Sequence, residues 1–187
     1  MLELTRPYGA PVRPFLAAHV TCGVAREAWQ LRGYWSLRRE IFCAETRLFG
    51  SAGQERDRYD DEALPIVALA HSAGNPDEVV GIVRIFETEP GVWYGGRLGV
   101  ARRYRSHRFV GGSLIDAAVG SGKGLGCRQF LATVLQENGA YFQRHHFDVL
   151  DRLEVCGRPH LLMQADLSCF VALPGSAQLR ATRSRAA

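Results

Sequence analysis

The stretch Arg97 to Leu114, RLGVARRYRSHRFVGGSL, decides how this chain is read. An apolar, β-favouring segment runs into a basic turn, and Gly111 and Gly112 open residues at helical spacing. In physical terms strand, basic glycine turn and helix make an anion site. First-turn helix amides lack intrahelical partners and the helix dipole favours negative charge there. Glycines let a bulky phosphate approach the backbone, and Arg102, Arg103, Arg105 and Arg108 supply positive charge. The competing reading is a glycine-rich turn decorated by solvated arginines.

Outward from this stretch, hydrophobic periodicity predicts a mixed domain. His19 to Ala25 reads as a short strand and Glu27 to Thr46 as a helix, weakened by Gly33. Gly50 to Asp61 reads as a charged loop. Three strands follow, Leu64 to His71, Val79 to Glu87 and Val92 to Ala101, with SAGNPDE and TEPG as turns. After the basic turn comes a helix over Val110 to Val119, ended by GSGKGLG, and then an apolar strand over Arg128 to Leu135. Asn138 to His145 reads as a short helix. Phe147 to Val155 and Leu161 to Leu167 form a last strand pair. Residues 1–18 are expected to be an irregular arm, 19–173 the domain, and 174–187 a flexible basic tail.

Composition bounds the function. The chain has 187 residues, 47% of them apolar, enough for one domain with a sizeable core and short for two. No run approaches the roughly 18 apolar residues of a membrane span, and no apolar run follows a basic start as in a signal peptide. The expected compartment is the cytoplasm, with no membrane partner. Of the 23 basic residues only Lys123 is lysine, a bias that points to GC-rich coding and a bacterial source. The net charge of +4 permits an anionic ligand, but outside Arg97 to Arg108 and the tail the charge is dispersed, so no nucleic-acid stripe is read. Five cysteines with no CxxC pair give no zinc spacing. They read as reduced, mostly buried thiols, and no metal is expected.

The segments also carry a resemblance. Tyr104-Arg105, the glycine turn and Leu114-Ile115 resemble the pyrophosphate loop of the GCN5-related N-acetyltransferases. Val134-Leu-Gln-Glu-Asn138, followed by Tyr141-Phe142-Gln-Arg-His-His146-Phe147, is similar to that superfamily's strand, asparagine and aromatic-rich helix. The pieces Arg38-x-x-x-Phe42, Asp57-x-x-Asp60, GRLGVxxxYR and GRPHxxM (Gly157 to Met163) resemble a bacterial subgroup, the nitrogen-starvation N-acetyltransferases. The resemblance implies an α/β domain with a single mixed, mostly antiparallel sheet flanked by helices, the acyl-CoA N-acyltransferase fold. It implies acetyl-CoA as cofactor, and direct attack by the amine of a small-molecule substrate.

By the same resemblance, Leu98, Gly99, Val100, Arg105, Arg108, Val110, Gly111, Gly112, Ser113, Asn138 and Phe142 would hold the cofactor. Two departures stand out. One extra residue separates Arg105 from the glycines, with Phe109 where a first glycine would fall. Phe142 replaces the tyrosine that protonates the departing thiolate, with Tyr141 beside it about 100° away on a helix. The candidate bases are Glu137, Glu89 and Glu87, each of which also reads as a solvated strand-end carboxylate. His145, His146 and His160 are further acid–base candidates, histidine being the residue type suited to proton transfer near neutral pH, and Cys127 has no evident triad partner.

Arg38-x-x-x-Phe42, Glu55-x-Asp57-x-Tyr59-Asp60 and Gly81-x-x-Arg84 further resemble the acyl-homoserine-lactone synthases. That resemblance implies a buried ionic cluster in which Asp57 and Asp60 balance Arg84 and Arg97, against the alternative of a solvated loop. Phe42, Trp93 and Tyr94 would line the acceptor site beside Trp35. Tyr94 stands where those synthases carry a glutamate. Three functions follow: an N-acetyltransferase, a longer-chain acyltransferase, or an acyl-CoA-binding sensor without catalysis. A homodimer is compatible with each.

Overall fold

The computed structural model describes residues 19–45, 55–107, 109–174 and 178–180. The expected arm, Arg108, Thr46, the start of the charged loop and most of the tail lie outside these residues. The element order is β1 (Val20–Val24), α1 (Ala28–Arg39), β2 (Leu64–Ser72), β3 (Asn75–Glu89), β4 (Val92–Val100), α2 (Phe109–Gly124), β5 (Gln129–Leu135), α3 (Gly139–Gln143), β6 (Phe147–Val155), β7 (Arg158–Ala165) and β8 (Gln178–Arg180). Eight strands form one sheet in the order β6-β7-β5-β4-β3-β2-β1-β8. Every described pairing is antiparallel except β4 with β5. The sheet is mixed, mostly antiparallel and flanked by helices. β8, which pairs with β1 through Thr21 to Gly23, falls inside the segment expected to be a mobile tail.

Helices cover opposite faces of the sheet. Gly81 of β3 sits against Leu114 of α2, whereas the next residue, Ile82, shares the other face with Ile41, just past the end of α1. That alternation is the two-residue period of a strand. Main-chain N–H groups at the start of α1 are taken by Gln30, whose Oε1 accepts from Arg26 at 2.8 Å and Glu27 at 3.2 Å. Past Arg39 the helix relaxes into a π-helical turn, Glu40–Glu45, which the 3.6-residue period did not anticipate.

Three expectations about glycines and turns are corrected. Gly33 does not weaken α1: a Cβ there would meet Val79 Cγ2 at 2.6 Å, so glycine permits the close approach of helix to sheet. The β2–β3 turn is only Ala73-Gly74, both at positive φ, and pairing already begins at Asn75. α2 runs through the GSGKG stretch to Gly124 because the C-terminal segment packs on it. Cβ atoms at Gly120 and Gly124 would strike the carbonyls of Val171 and Leu173. Lys123 Nζ donates to the carbonyls of Leu167 and Phe170 at 2.6 Å each, pinning that segment. Tertiary contact overrides the weak helix propensity of glycine.

Among the cysteines, Cys22 and Cys127 are buried and Cys43 is half-buried, while Cys156 and Cys169 are exposed. Burial pushes the Cys22 and Cys127 thiols up, so neither is a ready nucleophile. No described helix is long and apolar enough to cross a membrane.

Candidate active site

On the α1 face lies a network of charge, buried at Arg38, Arg84 and Asp60 and opening to solvent at Asp57. Arg38 is fully enclosed, and its guanidinium forks onto both carboxylate oxygens of Asp60 at 2.6 and 2.8 Å. Arg38 Nη2 also donates to the Glu55 carbonyl at 2.5 Å. Arg84 forks onto Asp57 at 2.8 and 2.5 Å and donates to Asp60 as well. Arg97 closes the ring, donating to the Glu55 carbonyl at 3.2 and 3.1 Å and to Asp57 at 3.2 Å. Bidentate charge-assisted bonds of this kind repay desolvation that a lone buried ion cannot.

The electrostatics follow from the geometry. Burial by itself would raise the Asp60 carboxyl, but hydrogen bonds from Arg38, the Asp57 amide and Arg84 outweigh it and hold it at about 2. Asp57 is lowered by the same balance, with Arg84 as its main partner. Arg97 is lowered as well, to about 10, by burial and by repulsion from Arg84 and Arg38, which for a base disfavours the charged form. Asp57 and Asp60 also build their own loop: the Tyr59 amide donates to Asp57 Oδ1 at 3.0 Å and the Asp57 amide to Asp60 Oδ2 at 2.9 Å.

Aromatic rings border the network. Tyr59, Phe86 and Tyr94 stack in sequence at 4.4 and 6.0 Å between centroids, and the Arg84 guanidinium lies 5.1 Å from the Phe86 ring. Phe42 faces Arg97 at 5.9 Å, and Trp35 carries Arg38 and Arg56 at 5.0 and 4.1 Å. Leu31, Tyr34, Trp35, Asp60, Ala63 and Pro65 line an open cleft beside it. Trp93 does not join them. It precedes Tyr94 on β4 and so points to the opposite face, where it is buried in the core.

β4 and β5, the parallel neighbours, separate. They pair only from Val92 to Gly95 and Gln129 to Ala132. Beyond that, β4 is paired with β3 and β5 with β7, which leaves Gly96–Val100 facing a wedge across from Thr133–Leu135. β4 is also bulged here. Gly96 pairs with Arg84 and Gly99 with Ile82, so Arg97 and Leu98 together oppose Val83. Arg97 takes φ 57°, a left-handed conformation uncommon for a non-glycine residue. Its three bonds to Glu55 and Asp57 hold it there. A bulge re-aims strand amides, and this one sits where the wedge opens.

At the open end the chain turns through Arg102–Tyr104 and enters α2. Arg105 Nε donates to the Val100 carbonyl at 2.8 Å and its Nη2 to Glu45 at 2.5 Å, while Arg103 pairs with Glu78. The side chains of Val110 and Ser113 are buried, so they can offer a ligand only main-chain groups. Gly111 and Gly112 have a local role: a Cβ would meet the Tyr141 hydroxyl at 2.6 Å and the His145 ring at 2.5 Å. They let α3 close down on the first turn of α2. The Tyr141 and His145 rings pack at 4.7 Å. Burial and the Asp116 carboxylate raise the Tyr141 phenol, which stays protonated at neutral pH. Phe142 is buried against Phe147, and Asn138 is exposed at the start of α3.

The carboxylates expected as bases lie elsewhere. Glu89 pairs with Val92 at the far end of β4, about 16 Å of strand from Arg97 at ~3.3 Å per residue. Glu87 accepts from the Gly91 amide at 2.6 Å within the same turn. Glu137 is exposed and leans 3.6 Å from Arg158, toward the β7 side of β5 and away from β4. A strand-end carboxylate has no directional signal in sequence, so its side is fixed by whichever charge the neighbouring strand presents. His160 is buried with Nδ1 2.8 Å from the Arg158 carbonyl, a structural contact. Two features were not anticipated: Arg38 as the centre of the network and the Glu55 carbonyl as an acceptor. An arginine on the apolar stripe of α1 was the available signal for the first; a main-chain acceptor leaves none.

No protein-family model and no curated protein sequence matches this chain. Solved structures do. A Lactobacillus plantarum protein classed among the N-acetyltransferases superposes with a TM-score of 0.68 at 20% identity, over 79% of this chain and 98% of its own. An acyl-CoA N-acyltransferase from Pseudomonas aeruginosa gives 0.61 at 20% identity, over 78% and 98%. The CoA-dependent acyl-homoserine lactone synthase BjaI, solved with SAM and isopentyl-CoA, gives 0.57 at 20% identity, over 82% and 77%. At that identity the likeness carries architecture rather than substrate: this chain has the acyl-CoA N-acyltransferase fold.

Proposed function

We propose that this protein transfers an acetyl or other acyl group from a CoA thioester to the amine of a small, amino-acid-like acceptor. The observation that carries this reading is the parting of β4 from β5 beside the Arg97 bulge, with the first turn of α2 following β4. Main-chain groups of Leu98, Gly99 and Val100 would hold the extended arm of acetyl-CoA by strand-like pairing. First-turn main-chain N–H groups of α2 around Gly111 would take its pyrophosphate, the Val110 N–H itself donating to the His107 carbonyl at 3.0 Å. Bound there, acetyl-CoA supplies an activated thioester. A re-aimed β4 amide then stabilises the carbonyl oxygen as charge develops, and Tyr141, protonated at neutral pH, is the acid available on the α3 side.

The network on the other face would receive the acceptor. Arg97, held down to about 10, gains stability when an anion such as an acceptor carboxylate approaches. The same network favours a second reading, a longer-chain acyltransferase of the lactone-synthase type, although Tyr94 in place of a glutamate leaves one carboxylate fewer there. Calorimetry of the protein with acetyl-CoA, octanoyl-CoA and free CoA tests both. Acetyl-CoA binding tightest, with amine-dependent release of free thiol, is the expected result. Preference for octanoyl-CoA selects the second reading. Binding without turnover of any amine reduces the protein to a sensor, and no binding removes all three.

A further inference from the structure

β6 is the outer strand at one end of the sheet, and among the described residues nothing pairs with its free edge. From Asp148 to Val155 it is exposed except for half-buried Leu153, and Leu150 is about half exposed at 51%. An uncovered edge strand is a template for further pairing. Which of its main-chain groups face outward follows from the turn that ends it. Cys156 and Gly157 have φ of 52° and 70°, the two-residue I′ geometry. Such a turn closes on a hydrogen-bonded pair, here Val155 with Arg158. By antiparallel alternation Leu153–His160 and Asp151–Leu162 are also bonded inward, and the N–H and C=O of Arg152 and Glu154 point out.

Two observations agree with this assignment. The Arg152 N–H is bonded to its neighbour's side chain, Asp151 Oδ1, at 2.7 Å rather than to β7. Glu154 lies opposite Pro159, which has no N–H to give, so no ladder bond is lost there. The β6–β7 register is unbroken from Asp151 to Val155, the bulge lying just before it.

We propose that β6 pairs antiparallel with β6 of a second copy of this chain, about a two-fold axis at Leu153, so that one sheet runs through a dimer. Outward groups can pair only with outward groups, so the axis must pass through a residue of the strand. An axis at Arg152 sets arginine against arginine, and one at Glu154 sets glutamate against glutamate. Only an axis at Leu153 places Arg152 opposite the partner's Glu154, twice by symmetry, each a narrow pair that exchanges both main-chain bonds as the Arg152 N–H leaves Asp151 Oδ1 for the facing carbonyl. Leu153 then meets its own copy on the other face, and Asp151 meets the partner's Val155. The self-complementary run is Asp-Arg-Leu-Glu-Val (151–155). The proposal stands apart from the acyl-transfer reading.

Sedimentation equilibrium and light scattering of the full chain test it, with circular dichroism to confirm the fold of exposed-residue variants. The wild type is expected to form dimers as concentration rises. Arg152→Glu and Glu154→Arg are each expected to be monomeric, because like charges then face across the axis. The double variant Arg152→Glu/Glu154→Arg restores opposite charges and is expected to restore the dimer. A wild type that stays monomeric at every concentration, a dimer indifferent to either reversal, or a double variant that stays monomeric would each overturn the proposal.

Discussion

The two faces of β4 are built from different materials. Toward α1 the site is made of side chains that satisfy one another: Arg38 forks onto Asp60, Arg84 onto Asp57, and Arg97 bridges to the Glu55 carbonyl. Toward the β4–β5 wedge it is made of main chain whose ladder simply stops after Gly95 and Ala132. The first kind is rigid and costly to break, because every member lost leaves another buried charge without its partner. The second costs little to perturb, since the β4–β5 ladder has already ended there and no buried charge depends on it. Stability and binding should therefore separate by face.

The largest expected effect breaks the first face. Asp60→Ala leaves two buried guanidinia short of their carboxylate and should destabilise the domain by about 3–5 kcal/mol in denaturant unfolding. A loss within about 0.5 kcal/mol, the surface range, would mean that the network is solvated. The second face predicts the converse. Gly111→Val displaces the Tyr141 hydroxyl at the start of α2 and should abolish thermal protection by acetyl-CoA. That protection is about 2.7 kcal/mol at a hundredfold excess over Kd. Because the displaced group is the far end of one side chain, the ligand-free variant should melt close to wild type. Equal loss of stability in both variants would erase the distinction between the faces.

Acid sharpens the comparison. Asp60 ionises at about 2 in the folded protein and near 3.9 when unfolded, so its folded value is depressed. The stability it contributes is fully present above about pH 4 and is lost as pH falls toward 2. Asp57 shifts in the same direction. Unfolding followed against pH should show a steep acid limb in the wild type and a shallower one in Asp60→Asn. A parallel limb would assign the acid sensitivity elsewhere. The smallest effect is expected at Glu137, which faces Arg158 across solvent. Glu137→Gln should change stability by less than about 0.5 kcal/mol and leave the rate and pH profile of acyl transfer intact. A rate drop of about a hundredfold or more would instead mark it as the general base.

Several elements were legible because a local pattern sufficed. Short apolar, β-favouring runs bounded by turn residues located β2, β4 and β5 to within a residue or two, and the basic glycine turn after β4 marked the start of α2. Where the reading failed, a distant contact had decided. α2 continues through its glycines because Val171 and Leu173 lie against it, and β8 exists only because β1 offers an edge. Trp93 and Tyr94 looked alike in sequence, and strand geometry sent one into the core and the other toward Arg84.

By itself the sequence determined an α/β domain, the strand–turn–helix around Arg97 to Leu114, and the residue types of the acidic loop, since each depends on neighbours within a few residues. Tertiary structure alone decided which carboxylate meets which arginine, that Arg38 is their hub, that Arg97 turns left-handed to make the bulge, and that the expected bases face away from the wedge. Those outcomes depend on charges and edges brought together from segments far apart in the chain. Local propensity holds no information about them until the sheet has closed.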